Sequence, residues 1–165
     1  EVWLQLEQRS PGPNSDMQML LLSLGAHNHA LKLLRLPFEA HRVLPEELEV
    51  RAVLRAAYRL LKAMCSSFPP MQAELVQHVS IFEQHTEANL VSHDISPTGC
   101  INTVFEDNRS VCTQVQEDTV RHFVTLAARL RKPRFLRFLE KIVSPNGRAI
   151  ARNQALVLQL LGEKD

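Results

Sequence analysis

Phe135–Leu161 reads FLRFLEKIVSPNGRAIARNQALVLQLL, two amphipathic helices that meet at a stop. Phe135, Leu136, Phe138, Leu139, Ile142 and Val143 recur at helical spacing and predict one apolar stripe. Arg134, Arg137, Glu140 and Lys141 take the other face. Ser144-Pro145-Asn146-Gly147 ends this helix, because Pro cannot extend the hydrogen-bond ladder and Asn and Gly accept the left-handed turn at a helix end. A second helix is predicted from near Arg148 to Leu161. On it Gln154 is expected to share the inward face with Ile150, Val157 and Leu161. A buried amide needs partners, and the free backbone groups of the turn are the nearest. Asn146, Gly147, Asn153 and Gln154 are therefore predicted to be structural, with Gln154 closing the turn.

The rest of the chain follows the same logic. Residues 1–14 read as a lead-in, or the end of an upstream helix, before a PGPN loop. Ser15 can cap a helix from Asp16 to Leu24. Gly25 interrupts, and Ala26 to Leu36 resumes before Pro37. Pro45 is placed to open the longest helix, with Glu46, Glu47 and Glu49 complementing its dipole. Val50, Val53, Leu54, Ala57, Leu60, Leu61 and Met64 are its expected core face, and SSFPP stops it. Pro70 to Phe82 is predicted as one helix, and residues 84–96 lose the pattern and read as an exposed loop or a short helix with a poor face. Ser96-Pro97 restarts a short helix through Phe105, and Asn108 or Ser110 caps another turn. Glu117-Asp118 opens a helix that Lys132-Pro133 breaks. About eight helices joined by short linkers, each with one wide apolar face, predict an all-α stack of the armadillo or HEAT type. Residues 15–165 are expected to form a single such domain, with degenerate repeats. An irregular helical bundle is the structural alternative.

Composition bounds the function classes. An apolar fraction of 45% and a charged fraction of 22% suit a globular chain of 165 residues with a real core. A net charge of +1 gives no global drive toward nucleic acid or an anionic membrane. No apolar run approaches the ~20 residues of a membrane span, since Ser23 breaks Met19–Leu24. The sequence opens at Glu1 with neither an initiator Met nor a signal peptide, so a piece of a longer cytosolic protein is expected. Cys65, Cys100 and Cys112 form no CxxC pair, and reduced thiols are the expectation.

Catalytic chemistry finds little support. His27 and His29 fall on different helix faces, and His78 and His85 lie roughly 10 Å apart along one face, too far for a shared ion. There is no HExxH, no GxSxG elbow and no Gly-rich phosphate loop. No enzyme activity, metal or cofactor is expected. The charge anomaly is local: Arg129, Arg131, Lys132, Arg134, Arg137, Lys141, Arg148 and Arg152 face the single acid Glu140. Arg134, Arg137 and Lys141 align on one helix face and are the candidate protein contact, with a plain solvated helix face or a site for a phosphate-bearing ligand as the alternatives. No aromatic is interleaved on that face, so base stacking on nucleic acid is unsupported.

Six phrases in order resemble a known family. They are GAHNHALKLLRLPFE at 25–39, LRAAYRLLKAMC at 54–65, AELVQHVSIF at 73–82, INTVFEDNRSVC at 101–112, VRHFVTLAARL at 120–130 and FLRFLEKIVSPNGRAIARNQALV at 135–157. Together they are similar to a central cytosolic segment of inositol trisphosphate receptors, the helical homology region shared with ryanodine receptors. NGRAIARNQ is the most specific piece. Residues 1–14 and 84–96 match poorly and the basic ridge is stronger than in the family, which marks a divergent member. The resemblance implies an armadillo-like segment of a ligand-gated intracellular calcium-release channel, transmitting conformational change between ligand-binding core and pore. It implies other domains and subunits of the same homotetrameric channel as partners, with inositol trisphosphate and calcium bound elsewhere in the parent. The implied place is the cytosolic face of a calcium-store membrane, endoplasmic reticulum or acidic store, without direct membrane contact. The contrasting reading is a free-standing helical-repeat adaptor for a peptide or an acidic protein partner.

Overall fold

The computed structural model describes residues 15–39, 48–87 and 96–163. Among these there is no strand; the chain is an all-α stack. The helices in order are α1 (Ser15–Ser23), α2 (Ala26–Glu39), α3 (Leu48–Cys65), α4 (Pro69–Leu75), α5 (Val79–Glu87) and α6 (Pro97–Val104). They continue with α7 (Arg109–Thr113), α8 (Glu117–Leu130), α9 (Pro133–Val143) and α10 (Ala151–Gly162). No described helix is long and apolar enough to cross a membrane. The expectations for residues 1–14 and for Pro45, Glu46 and Glu47 lie outside the described residues.

Local chemistry sets the boundaries. The Ser96 hydroxyl accepts from the Gly99 amide at 3.1 Å, and Pro97 occupies the first turn of α6, where its missing N–H costs nothing. Asn108 caps α7 by accepting from Val111 N–H at 3.2 Å. Arg131 ends α8 in the left-handed conformation (φ 49°), and Pro133 opens α9 two residues later.

Two expectations are corrected here. The predicted helix from Pro70 to Phe82 is two helices, α4 and α5, joined by a 3₁₀ turn at Val76–His78. Of the stretch 84–96, expected as an exposed loop or a short helix with a poor face, residues 84–87 belong to α5, with His85 and Thr86 fully packed, and residues 88–95 lie outside the described residues. His85 is held because its Nε2–H donates to the Leu34 carbonyl at 2.7 Å and its ring meets Tyr58 edge-on at 5.6 Å.

Packing runs in order along the stack. α1 lies on α2 and α3, α3 packs on α6, α6 on α9, and α9 with α8, while α10 covers α8 and α9. The centre is aromatic. Phe123 and Phe138 sit with ring centroids 4.1 Å apart, Phe105 meets Phe138 edge-on at 5.3 Å, and Phe135 meets Phe123 at 6.1 Å. Phe135, Phe138, Leu139 and Ile142 are all buried. Leu136, expected on the same stripe, is 58% exposed: the buried arc of α9 is narrower than the six-residue pattern allows.

Candidate functional site

The basic ridge lies on α9, and the structural residues singled out in the sequence lie on the turn after it and on α10. Asn146 (φ 52°) and Gly147 (φ 70°) adopt the left-handed conformation. The Asn146 side-chain amide donates to the Asp107 carbonyl at 2.8 Å, and Gly147 N–H returns to Ser144 at 3.1 Å. Ile150 N–H then bonds the Val143 carbonyl at 2.9 Å, closing the turn with backbone alone.

The inward amide is Asn153, not Gln154. Asn153 is completely buried, and its Nδ2 donates to Cys112 O at 2.9 Å and Ile142 O at 2.8 Å. Gln154 is exposed, which overturns its assignment as the amide that closes the turn. The inward register is Ile150, Asn153, Val157 and Leu160, with Leu161 46% exposed. This choice follows from what lies beneath α10. The last carbonyls of α7 and α9 have no donors within their own helices, and a short carboxamide one turn from Ile150 reaches both.

The same device recurs. Gln18 of α1 donates to Ala63 O at 2.8 Å and Ser66 O at 3.0 Å, at the end of α3. Gln72 of α4 donates to Thr103 O at 3.0 Å and Glu106 O at 2.9 Å, at the end of α6. Asn108 Nδ2 in turn donates to Gln72 Oε1 at 2.9 Å. Arginines serve the rim: Arg152 Nη1 reaches Thr113 O at 3.2 Å and Val115 O at 3.3 Å, and Arg109 Nη1 reaches Arg148 O and Ala149 O, each at 3.1 Å. Each buried amide thus plugs the carbonyl end of a helix it is not part of. Gln18, Gln72 and Arg109 carry no local signal in the sequence, because their acceptors lie up to 48 residues away.

The ridge divides into three different situations. Lys141 Nζ pairs with Glu106 Oε1 at 2.6 Å, so its charge is engaged inside the domain. The Arg134 guanidinium lies 4.9 Å from the centroid of the Phe135 ring, and partial burial lowers its pKa. Arg137 is exposed and points outward. Arg137, Lys141, Glu140 and Asp107 border a cleft of about 350 Å³ floored by Ser144, Pro145, Asn146 and Gly147. The uniform basic ridge expected from spacing is therefore a mixed-charge cleft with one fully outward cation.

The titratable groups nearby are quiet. Cys112 donates from Sγ to Phe105 O at 3.2 Å, and burial, reinforced by Asp107, pushes its thiol up to about 11. Burial, with Glu106 second, pushes Cys65 up to about 12. Neither is a thiolate at neutral pH. Among the described residues no three His, Cys, Asp or Glu side chains gather where an ion could bind.

The chain is similar to the inositol 1,4,5-trisphosphate receptor itr-1 of Caenorhabditis elegans, 22% identical over 148 residues. That alignment covers 89% of this chain and 5% of the receptor, so the chain spans a small part of its relative's length. The family model of the RIH domain matches residues 5–165. The chain belongs to the RIH domain family, the homology region of inositol trisphosphate and ryanodine receptors.

Proposed function

We propose that this chain is a cytosolic structural and regulatory segment of a ligand-gated intracellular calcium-release channel. In this reading it passes conformational change from a ligand-binding core to the pore and performs no catalysis. The observation that carries the reading is the RIH family match across nearly the whole chain, together with a receptor relative about twenty times longer. The plugged helix ends support the transmitting role. Gln18 ties α1 to the end of α3, Gln72 ties α4 to the end of α6, and Asn153 ties α10 to the ends of α7 and α9, so a tilt of one tied helix is passed to its partner as a rigid-body movement. The partners in this reading are other domains and subunits of the same homotetrameric channel. The parent sits in a calcium-store membrane, the endoplasmic reticulum or an acidic store.

The contact surface is the cleft beside Arg137, with Lys141 in its wall and Arg134 further back along α9. Lys141 holds Glu106 and Arg134 covers Phe135, so Arg137 is the member free to meet an acidic group on an adjoining domain or subunit. Arg137→Glu in the full-length protein tests this. Calcium flux evoked by inositol trisphosphate from reconstituted vesicles should fall while agonist binding stays unchanged. Undiminished flux would remove Arg137 from the transmission path.

A further inference from the structure

Asn146 is the only asparagine of the chain that is followed by glycine. That pair is the one most prone to spontaneous attack of the backbone on the side chain, because glycine has no Cβ to shield its nitrogen. The pair lies exposed on the turn between α9 and α10, and a Cβ built on Gly147 would meet nothing within 4 Å, so water reaches both residues. The turn holds the reacting atoms apart. Ring closure needs the Gly147 nitrogen on the same side of the Asn146 Cα–C bond as Cβ, and at φ 52° and ψ 33° it is turned to the opposite side. Three hydrogen bonds fix that rotation. Asn146 Nδ2 donates to Asp107 O at 2.8 Å, Gly147 N–H to Ser144 O at 3.1 Å and Arg148 N–H to Pro145 O at 3.0 Å. Arg109 clamps the residues that follow, donating from Nη1 to Arg148 O and Ala149 O, each at 3.1 Å.

We propose that Asn146 is a deamidation site kept latent by this turn, one that reacts when the turn opens and whose product cannot re-form the tie to Asp107. In the open turn the Gly147 nitrogen gives up its proton to water and bonds to Asn146 Cγ. The Cγ–Nδ2 bond breaks, and Nδ2 leaves as ammonia. Water then opens the five-membered imide at either carbonyl, giving aspartate or isoaspartate with nothing oxidised or reduced. The new carboxylate is an acceptor only, so it has no proton for the Asp107 carbonyl and is repelled by it. The hydrogen bond between this turn and the α6–α7 connection is then lost permanently. The product also adds a carboxylate to a cleft that already holds Asp107 and Glu140, while Lys141 is engaged by Glu106. On the reading of Arg137 as the contact for an acidic partner, which this consequence rests on, the added charge weakens that contact. A movement that loosens the turn is thereby recorded in the chain as a fixed negative charge.

The test follows the peptide containing residue 146 by mass spectrometry during incubation of the 165-residue chain in mildly alkaline buffer, with isoaspartate counted by an isoaspartyl methyltransferase. The same chain unfolded in guanidinium chloride supplies the rate with no turn. The folded chain should deamidate at least about tenfold more slowly, because reaction awaits local opening. Guanidinium concentrations below the unfolding transition separate two kinds of opening: a nearly constant rate marks the turn alone, and a steep rise marks the whole domain. Equal rates in the folded and unfolded chain, or a rise as steep as global unfolding, would overturn the latent site. R109A removes the clamp and leaves Asn146 and Gly147 unaltered. Shown to be folded by circular dichroism, it should deamidate severalfold faster than the parent, and an unchanged rate would overturn the gating. N146D stands for the product: the Gly147 and Arg148 amides should exchange with deuterium about tenfold faster than in the parent. Unaltered protection of both would overturn the loss of the tie. None of these readouts involves ion flux, so the modification site and the channel reading fail separately.

Discussion

Asn153→Leu isolates the energetic role of the amide plug. The side chain is completely buried and donates to two carbonyls at helix ends, Ile142 O at 2.8 Å and Cys112 O at 2.9 Å. Leu keeps the branching and heavy-atom count of Asn with bulkier methyl groups, so the change removes donors rather than opening a cavity. Cys112 O retains Val115 N–H at 3.4 Å, a weak substitute. Ile142 O, at the end of α9, would be buried without that donor, a loss of about 1–3 kcal/mol. Against this, Asn153 Oδ1 is itself buried without a partner among the described residues, and removing it returns part of the loss. The net expectation is a destabilisation of about 1–3 kcal/mol, or roughly 3–10 °C in Tm for a domain of this size. Asn153→Asp should cost more, about 3–5 kcal/mol, because it aims a buried charge at two carbonyl oxygens. Gln154→Leu, one residue on but exposed, should stay within about 0.5 kcal/mol of the parent. Urea unfolding followed by circular dichroism measures all three. If Gln154→Leu lost more stability than Asn153→Leu, the register of α10 and the plug argument would both be wrong.

Phe138→Ala should cost about 3–5 kcal/mol, since the ring is buried against Phe105 and Phe123 and its removal leaves a cavity; an unchanged urea midpoint would refute the aromatic centre. Tyr58→Phe should leave stability unchanged or raise it by up to about 1 kcal/mol, because the hydroxyl is buried without a partner among the described residues. A clear loss in the same assay would reveal a hydrogen bond to that oxygen. Burial lowers the pKa of His85, partly offset by its bond to Leu34 O, and burial followed by Arg35 lowers that of His78. The unfolded chain therefore takes up protons below about pH 6.5 that the folded chain refuses, and stability present above that pH is lost as pH falls through it. His85→Gln, which can still donate to Leu34 O, should flatten the slope of stability over the roughly 1.5 pH units below the ordinary histidine pKa of about 6.5; an unaltered slope there would absolve His85.

Helical identity was legible because Pro and Gly mark the ends and the apolar spacing of α9 is unambiguous. Phe135, Phe138, Leu139 and Ile142 could be placed inside from spacing alone, and they are. The register of α10 could not. Asn153 and Gln154 are adjacent, as are Leu160 and Leu161, so two inward faces one residue apart fit the same pattern. Only the carbonyl ends of α7 and α9 beneath the helix choose between them. The ridge was misjudged for a related reason: same-sign charges at helical spacing look alike in sequence, yet Lys141 finds Glu106 across 35 residues. The packed His85 also depends on a contact with a distant helix, the Leu34 carbonyl.

The most direct test of the transmission claim places Asn153→Leu in the full-length protein and measures two quantities on the same membranes: inositol trisphosphate binding and agonist-evoked calcium flux, both normalised to the amount of folded protein. If the stacked helices carry the signal as tied rigid bodies, binding is retained and flux falls, because loosening the ends of α7 and α9 interrupts the path without touching the ligand core. Flux and binding both equal to those of the unaltered protein, with the domain measurably destabilised, would contradict it.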